Sequence, residues 1–240
     1  MRLLAPFVLA ASLAIAAPAH ADERRVGHKA PGGDDDLSRP LWSLEGGLWL
    51  VSDYRNAGIS STKGEPALQA ALTVTHRSGL FARAWGSTIA STDGGTVELD
   101  LSAGYGWQWG AVEPSVGATL YVFPGIDRST YVELFQEVAI PVAGATLTLG
   151  AAWTPAQRNV ATDSLYLGAT AEIPVPRTGL TIDASVGREN GAFGDRKIDW
   201  WLGGRYRRGA LELGVAYADS HRAFAAHSGP TLLASLGIVF

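Results

Sequence analysis

The sequence predicts an all-β fold: a transmembrane, antiparallel, up-and-down β-barrel of about twelve strands, made after removal of a signal peptide. Three observations lead there. Long segments alternate apolar and polar residues with a period of two, tight turns punctuate them, and beyond the first residues no apolar run reaches the roughly 20 positions that a spanning helix needs. The stretch Gly95 to Phe123 states the rule in one hairpin. Val97, Leu99, Leu101, Ala103, Tyr105 and Trp107 alternate with Glu98, Asp100, Ser102, Gly104, Gly106 and Gln108. After a turn at Gly110-Ala111, Val112, Pro114, Val116, Ala118, Leu120 and Val122 alternate with Glu113, Ser115, Gly117, Thr119, Tyr121 and Phe123. A pleated strand sends successive side chains to opposite faces, so each strand has one face for hydrocarbon and one for water. Both exceed the usual five to six residues of soluble strands and meet the roughly 9–11 of a tilted membrane strand.

From the start of the chain, Met1-Arg2 is followed by an uncharged apolar run from Leu3 to Ala17 and by Pro18-Ala19-His20-Ala21. This is the pattern of a secretory signal peptide over 1–21, cut before Asp22, and the run is short for a membrane anchor. Residues 22–40 lack periodicity and contain Arg24-Arg25, Pro31-Gly32-Gly33 and Asp34-Asp35-Asp36. They read as a disordered tail on the periplasmic side; three adjacent carboxylates in such a tail do not enclose a metal. The barrel occupies 41–240.

Strands are expected near 41–54, 66–77, 80–90, 96–109, 111–123, 130–142, 145–154, 164–176, 180–190, 197–207, 211–219 and 230–240. The links alternate in length. Ser78-Gly79, Gly110, Ala143-Gly144, Arg177-Thr178-Gly179 and Arg208-Gly209-Ala210 are tight; those near 55–65, 91–95, 124–129, 155–163, 191–196 and 220–229 are longer. Five short turns and six longer loops put both ends of an even-stranded barrel on the short-turn side, which in an outer membrane is the periplasm.

The alternation recurs late in the chain. Leu165, Leu167, Ala169, Ala171 and Ile173 oppose Tyr166, Gly168, Thr170 and Glu172, and Ile198, Trp200, Leu202 and Tyr206 oppose Asp199, Trp201, Arg205 and Arg207. Outward aromatics collect near strand ends: Tyr54, Trp153 and Tyr217 toward the long loops, and Tyr105, Trp107, Trp109, Tyr206 and Phe240 toward the short turns. These positions suit two interfacial girdles. The competing reading is a soluble sandwich or lipocalin-like barrel, whose apolar faces would point inward.

Composition narrows the function classes. The chain has no cysteine, which excludes disulfides, thiol nucleophiles and Cys-type zinc sites. Removing the leader takes one Arg from the 19 basic residues and leaves 18 against 23 acidic ones, a formal charge of −5. Mild acidity argues against a nucleic-acid partner. No cofactor is implied. Gly is abundant at 29 residues and charged residues are 18%, as suits a barrel with one lipid face.

The last strand ends Leu232, Ala234, Leu236, Ile238, Phe240. It looks like the C-terminal signature that the assembly machinery of bacterial outer-membrane barrels recognises. More specifically, the chain resembles the TorF family of porins. The resemblance rests on Ser52-Asp53-Tyr54 with Gly58-Ile59-Ser60, on His76-Arg77-Ser78-Gly79-Leu80-Phe81-Ala82 with Trp85-Gly86-Ser87, and on Glu98-Leu99-Asp100 with Ala103-Gly104-Tyr105. Phe123-Pro124-Gly125, Thr130-Tyr131-Val132-Glu133-Leu134 and Ala216-Tyr217-Ala218-Asp219 continue it in order, across essentially the whole barrel. It implies an outer-membrane location and a channel role, with no substrate. Two positions depart from the family's pattern: Ala57 stands where an Arg is usual, and Phe123 precedes Pro124-Gly125 where Tyr is favoured.

Strand parity then assigns the lumen. Its carboxylates are Glu45, Glu98, Asp100, Glu113, Glu133, Glu137, Glu172, Asp183, Glu189, Asp199 and Glu212; its bases are Arg83, Lys197, Arg205 and Arg207. Such an excess favours cations in a pore. The same groups could instead pair into a network that plugs the barrel. Strand number leaves this open, because about eight strands give a filled interior, 16–18 an aqueous channel, and twelve lies between. Trp49, Trp85, Tyr121, Phe123, Tyr131, Phe135, Tyr166 and Trp201 share the inward parity, and could either fill space or bind an organic cation or flat polar solute.

The spacing of His76-Arg77-Ser78 matches the His-x-Ser pair of some outer-membrane lipid hydrolases. Ser78 belongs to a tight turn and lacks the following Asn or Asp of those enzymes, so an interfacial His before a turn is the better reading. His221 and His227 flank the last long loop without carboxylate ligands nearby. The expected function is passive passage of small polar solutes, preferably cationic or neutral, with Arg83, Arg205 and Arg207 at the constriction. The alternative is a closed structural or surface-binding barrel.

Overall fold

The computed structural model describes residues 40–92, 94–223 and 225–240. The leader read over 1–21 and the tail up to residue 39 lie outside them. The strands are β1 (Trp42–Val51), β2 (Arg55–Asn56), β3 (Ile59–Ser60), β4 (Ala67–His76), β5 (Leu80–Thr92), β6 (Gly95–Gly106), β7 (Glu113–Val122) and β8 (Tyr131–Val142). They continue with β9 (Ala145–Thr154), β10 (Ser164–Val175), β11 (Leu180–Gly191), β12 (Gly194–Arg208), β13 (Leu211–His221) and β14 (Thr231–Val239). Twelve of them, β1 and β4 to β14, form one closed antiparallel barrel in which each strand pairs with its neighbours in sequence. The seam joins β1 to β14, from Gly47 opposite Val239 to Val51 opposite Ser235. A reciprocal pair of bonds between Gly46 and Phe240, each 3.0 Å, extends it. Closure removes the free edges that would otherwise leave backbone groups unsatisfied in hydrocarbon.

The two faces are inverted relative to a soluble protein. Leu48, Leu101, Val215 and Ile238 point outward and are 48–63% exposed, whereas Glu189 and Lys197 point inward and are fully buried. This distribution contradicts the soluble sandwich, whose apolar side chains would be the buried set, and it is the apolar band of a membrane barrel. Trp153 and Tyr217 lie outward near the long-loop rim, and Tyr105, Trp109, Tyr206 and Phe240 outward near the short-turn rim. Tyr54 is the exception to the predicted girdles. It is buried, with its ring 5.1 Å from that of Trp85. After Val51 the chain leaves the barrel ladder and folds into the small β2–β3 hairpin, so the period-two count no longer applies.

Two links expected to be long are tight turns. Thr92 pairs with Gly95 and Gly191 with Gly194, each after a register shift within its hairpin. These irregularities carry β5–β6 and β11–β12 beyond the expected strand ends, so link length does not alternate strictly. In the first hairpin, Trp109 and Val112 pair around Gly110-Ala111, but β7 begins only at Glu113. Pro114 has no N–H to donate, and the ladder loses a rung there.

Lumenal aromatic rings lie flat along the wall, and glycines make this possible. A Cβ at Gly104 would stand 2.5 Å from the Phe81 ring, one at Gly117 2.4 Å from Phe135, and one at Gly237 2.2 Å from Trp49. In each case the glycine is the cross-strand partner of the aromatic. Gly117→Val should therefore push Phe135 off the wall and destabilise the barrel by about 1–3 kcal/mol. Gly204→Ala on the lipid face, where the nearest atom is 3.7 Å away, should be close to neutral. Urea midpoints of the two variants folded in lipid vesicles test this; equal midpoints would refute the wall-packing account.

Candidate functional site

Cross-strand register builds the interior in rows. Trp85 is opposite Asp100, Asp100 opposite Tyr121 and Tyr121 opposite Tyr131, so these four inward side chains lie side by side across β5 to β8. Tyr121 and Tyr131 stack with centroids 4.6 Å apart and planes at 12°, and Phe193 tilts onto Tyr131 at 5.5 Å. With Phe123 and Val160 they form a buried cluster that fills one side of the upper lumen.

The carboxylates around these rings are held largely by neutral donors. Tyr121 Oη donates to Glu133 Oε1 at 3.0 Å, Thr154 Oγ1 to Glu133 Oε2 at 3.1 Å, Tyr166 Oη to Asp199 Oδ1 at 3.0 Å, and Trp49 Nε1 to Glu212 Oε1 at 2.9 Å. Tyr54, in the link after β1, serves Glu98 in the same way. Burial, with Glu98 and Asp100 close by, pushes its phenol well above the ordinary value, so it remains a neutral donor. Hydrogen bonds to a charged acceptor contribute about 1.5–3 kcal/mol each, and a neutral donor brings no opposite charge of its own. Asp100 is buried with neither carboxylate oxygen bonded.

Two basic groups are matched locally. Lys197 Nζ lies 2.6 Å from Glu189 Oε2, both side chains sealed from solvent. Arg205 grips Asp183 with Nε and Nη2, both at 2.7 Å, and reaches Glu172 from Nη2 at 3.2 Å. The planar guanidinium suits this two-toothed geometry.

The β2–β3 hairpin stands across part of the mouth. Asp53 organises it by accepting from Arg55 Nε at 2.8 Å, Thr62 Oγ1 at 2.7 Å and Ser60 Oγ. Arg55 also reaches the Gly229 carbonyl at 2.6 Å, Ser60 N donates to the His227 carbonyl at 3.1 Å, and Ala90 N to the Ser61 carbonyl at 2.9 Å. The hairpin is thus tied to the last loop on one side and to β5 on the other. At its tip Ala57 and Gly58 both have positive φ, 45° and 80°, and a Cβ at Gly58 would stand 2.9 Å from Cβ of Asp199. Ala57, the position that departs from the TorF pattern, therefore sits over the lumen. Beneath the hairpin a cavity of about 120 Å³ extends down to Asp183 and Arg205, bordered by Trp85, Tyr166 and Trp201.

Among the residues assigned to the lumen by parity, Glu98, Asp100, Glu133, Glu189, Lys197 and Asp199 gather in the upper half with Trp85, Tyr121, Tyr131 and Tyr166. Glu172, Asp183, Arg205 and Glu212 lie lower. Arg83 donates to Thr73 Oγ1 at 3.3 Å, and its facing charges are Glu137 and Glu45. Arg207 stands opposite Glu212 near the end of β12, its Nε donating to the Gly209 carbonyl at 3.1 Å. Glu45 is exposed, and Glu113 opens β7 beside the Gly110-Ala111 turn. Sequence reasoning missed Phe81, whose parity with Arg83 and Trp85 would have revealed it, and Asp53, Tyr54, Arg55 and Phe193, which lie in links where parity is silent.

His76 and Ser78 do meet, with Nδ1 and Oγ 2.8 Å apart, but the same nitrogen accepts the Ser78 backbone N–H at 3.2 Å. The ring packs against Trp42 and caps the exposed turn. Among the described residues, no three His, Asp or Glu side chains converge as a metal site.

A profile of bacterial proteins of unknown function matches residues 39–236, the entire barrel except its last residues. The chain belongs to the Gcw_chp family. No curated protein sequence matches it. Among solved structures it is similar to the KdgM porin in complex with disordered oligogalacturonate, with a TM-score of 0.57 and 8% identity over 82% of this chain and 97% of that one. The NanC porin gives 0.56 at 9% identity, covering 82% and 99%. An outer-membrane channel from Pseudomonas putida F1 gives 0.51 at 11%, covering 87% and 99%. At such identities the likeness is one of fold, and this Gcw_chp barrel has the architecture of small outer-membrane porins.

The sealed Lys197–Glu189 pair yields a stability prediction. Lys197→Met should cost about 3–5 kcal/mol by stranding a buried carboxylate, and the double variant Glu189→Gln/Lys197→Met should recover most of it. Urea unfolding in lipid vesicles measures both; a single variant no less stable than the double one would contradict the pairing.

Proposed function

We propose that this protein is an outer-membrane channel for passive passage of small polar solutes, cationic or neutral, with both ends of the chain toward the periplasm. The observation that carries the reading is the charge balance of the lumen: Glu98, Asp100, Glu133, Asp199 and Glu212 face inward with neutral hydrogen-bond donors or none. Oriented carboxylates in a low-dielectric wall attract cations and repel anions. An acidic polymer such as the oligogalacturonate held by the KdgM porin would be disfavoured here. The leader, the aromatic girdles, the TorF resemblance and the porin-like fold support the membrane assignment, and the strand ending at Phe240 would present the signal to the assembly machinery.

In this mechanism solutes enter beside the β2–β3 hairpin and drift down the cavity past Asp199 and the Asp183–Arg205 pair. They leave between Arg83, Glu137 and Glu45. Arg83 and Arg205 set the constriction, and no covalent step is involved. The Tyr121–Tyr131–Phe193 stack favours a second reading, a closed barrel whose loops bind an external ligand.

Conductance in planar bilayers under a salt gradient decides between them. The channel reading expects discrete steps with a cation-selective reversal potential, weakened in Glu98→Gln/Asp100→Asn. Asp53→Ala, which removes the acceptor that folds the hairpin, should raise the step size. Anion-selective steps would overturn the acidic pore; silence from folded protein would favour the closed barrel.

A further inference from the structure

Asp199 differs from the other lumenal carboxylates in combining an unbonded oxygen with empty space. Its Oδ1 accepts from Tyr166, its Oδ2 has no partner, and the residue is 5% exposed while bordering the cavity under the β2–β3 hairpin. A single water needs only about 10–15 Å³ of such space, so the roughly 120 Å³ present can hold a small organic molecule. Aromatic side chains line the remainder: Trp85 against Tyr54, Tyr166, and Trp201.

The nearby bases are already committed. Arg55 is matched by Asp53 and two carbonyls, Arg205 by Asp183 and Glu172, and Lys197 by Glu189. Lys197 acts on Asp199 through space while its ion pair is with Glu189, so what the cavity lacks is a cation in contact with Asp199 Oδ2, beside aromatic rings. A bare inorganic cation would need several oxygen ligands, and among the described residues no cluster supplies them. A quaternary ammonium ion has no N–H to hydrate, needs one counter-charge and is favoured by aromatic faces.

We propose that this cavity is a binding site for a small organic ammonium ion, its charge against Asp199 and its alkyl groups against Trp85, Tyr54 and Trp201. The inference deepens the channel reading by naming a solute class, and the test separates the two.

Choline chloride is titrated into the folded, full-length barrel in detergent by calorimetry. Potassium chloride at equal ionic strength and 3,3-dimethylbutan-1-ol, the uncharged isostere, are the comparisons. Saturable choline binding is expected, at least tenfold weaker for the neutral isostere and at least tenfold weaker in Asp199→Asn. Trp85→Leu leaves every carboxylate in place and should weaken binding similarly, so it tests the site even where Asp199→Asn does not fold; Asp127→Asn, in the exposed link between β7 and β8, should bind as the parent does. Absent saturation, equal binding of the isostere, or unchanged affinity in both cavity variants would overturn the site. Cation-selective steps that choline leaves unchanged would sink the site but not the channel. Choline binding without any conductance would do the reverse.

Discussion

A carboxylate inside a β-barrel needs hydrogen bonds, and what donates them decides whether the lumen keeps its charge. Here the donors at Glu98, Glu133, Asp199 and Glu212 are phenols, an indole and a hydroxyl, not ammonium or guanidinium groups. Each carboxylate is oriented by a donor that itself carries no charge. The rest of the interior follows from this. Trp49 and Tyr166 reach carboxylates two strands away by lying along the wall over glycines, Gly47 and Gly237 for the first and Gly187 for the second, whereas Tyr121 stacks on Tyr131 and serves Glu133 on the adjacent strand. Trp49 shows the whole arrangement: its ring lies over Gly47 and Gly237 while its nitrogen reaches Glu212.

The bases are placed where burial or crowding would otherwise be most costly. Lys197 serves the fully buried Glu189, and Arg205 joins the neighbouring Asp183 and Glu172. The interior is therefore divided. One side is packed by stacked rings, and the other holds the matched pairs, the cavity and the unbonded oxygen of Asp199. The β2–β3 hairpin stands over that second side, anchored through Asp53 and Arg55. A twelve-stranded barrel is wide enough for such a division, where a smaller one would fill completely.

How far the sequence could be read depended on whether a residue lay in a regular strand. Within strands, alternation placed Asp100, Tyr121 and Glu133 inward because a pleat allows no other outcome. The same logic failed at Tyr54, where the backbone turns out of the ladder, and at the ends of β5 and β11, where register shifts lengthen the hairpins. Parity gives the face of a strand and not the depth along it, so it could not say that Arg83 faces Glu137 and Glu45.

By itself the sequence determined the barrel, its strand count, the lipid face and the parity that turns most of the strand carboxylates inward, since all four depend on local periodicity and composition. Only the tertiary structure decided which carboxylates meet a base and which meet a phenol or indole, that the first long link folds over the mouth, and that the remaining space lies beside Asp199. Those outcomes depend on contacts between strands far apart in the chain. Trp49 and Glu212, 163 residues apart, become neighbours only when β1 and β14 close the barrel.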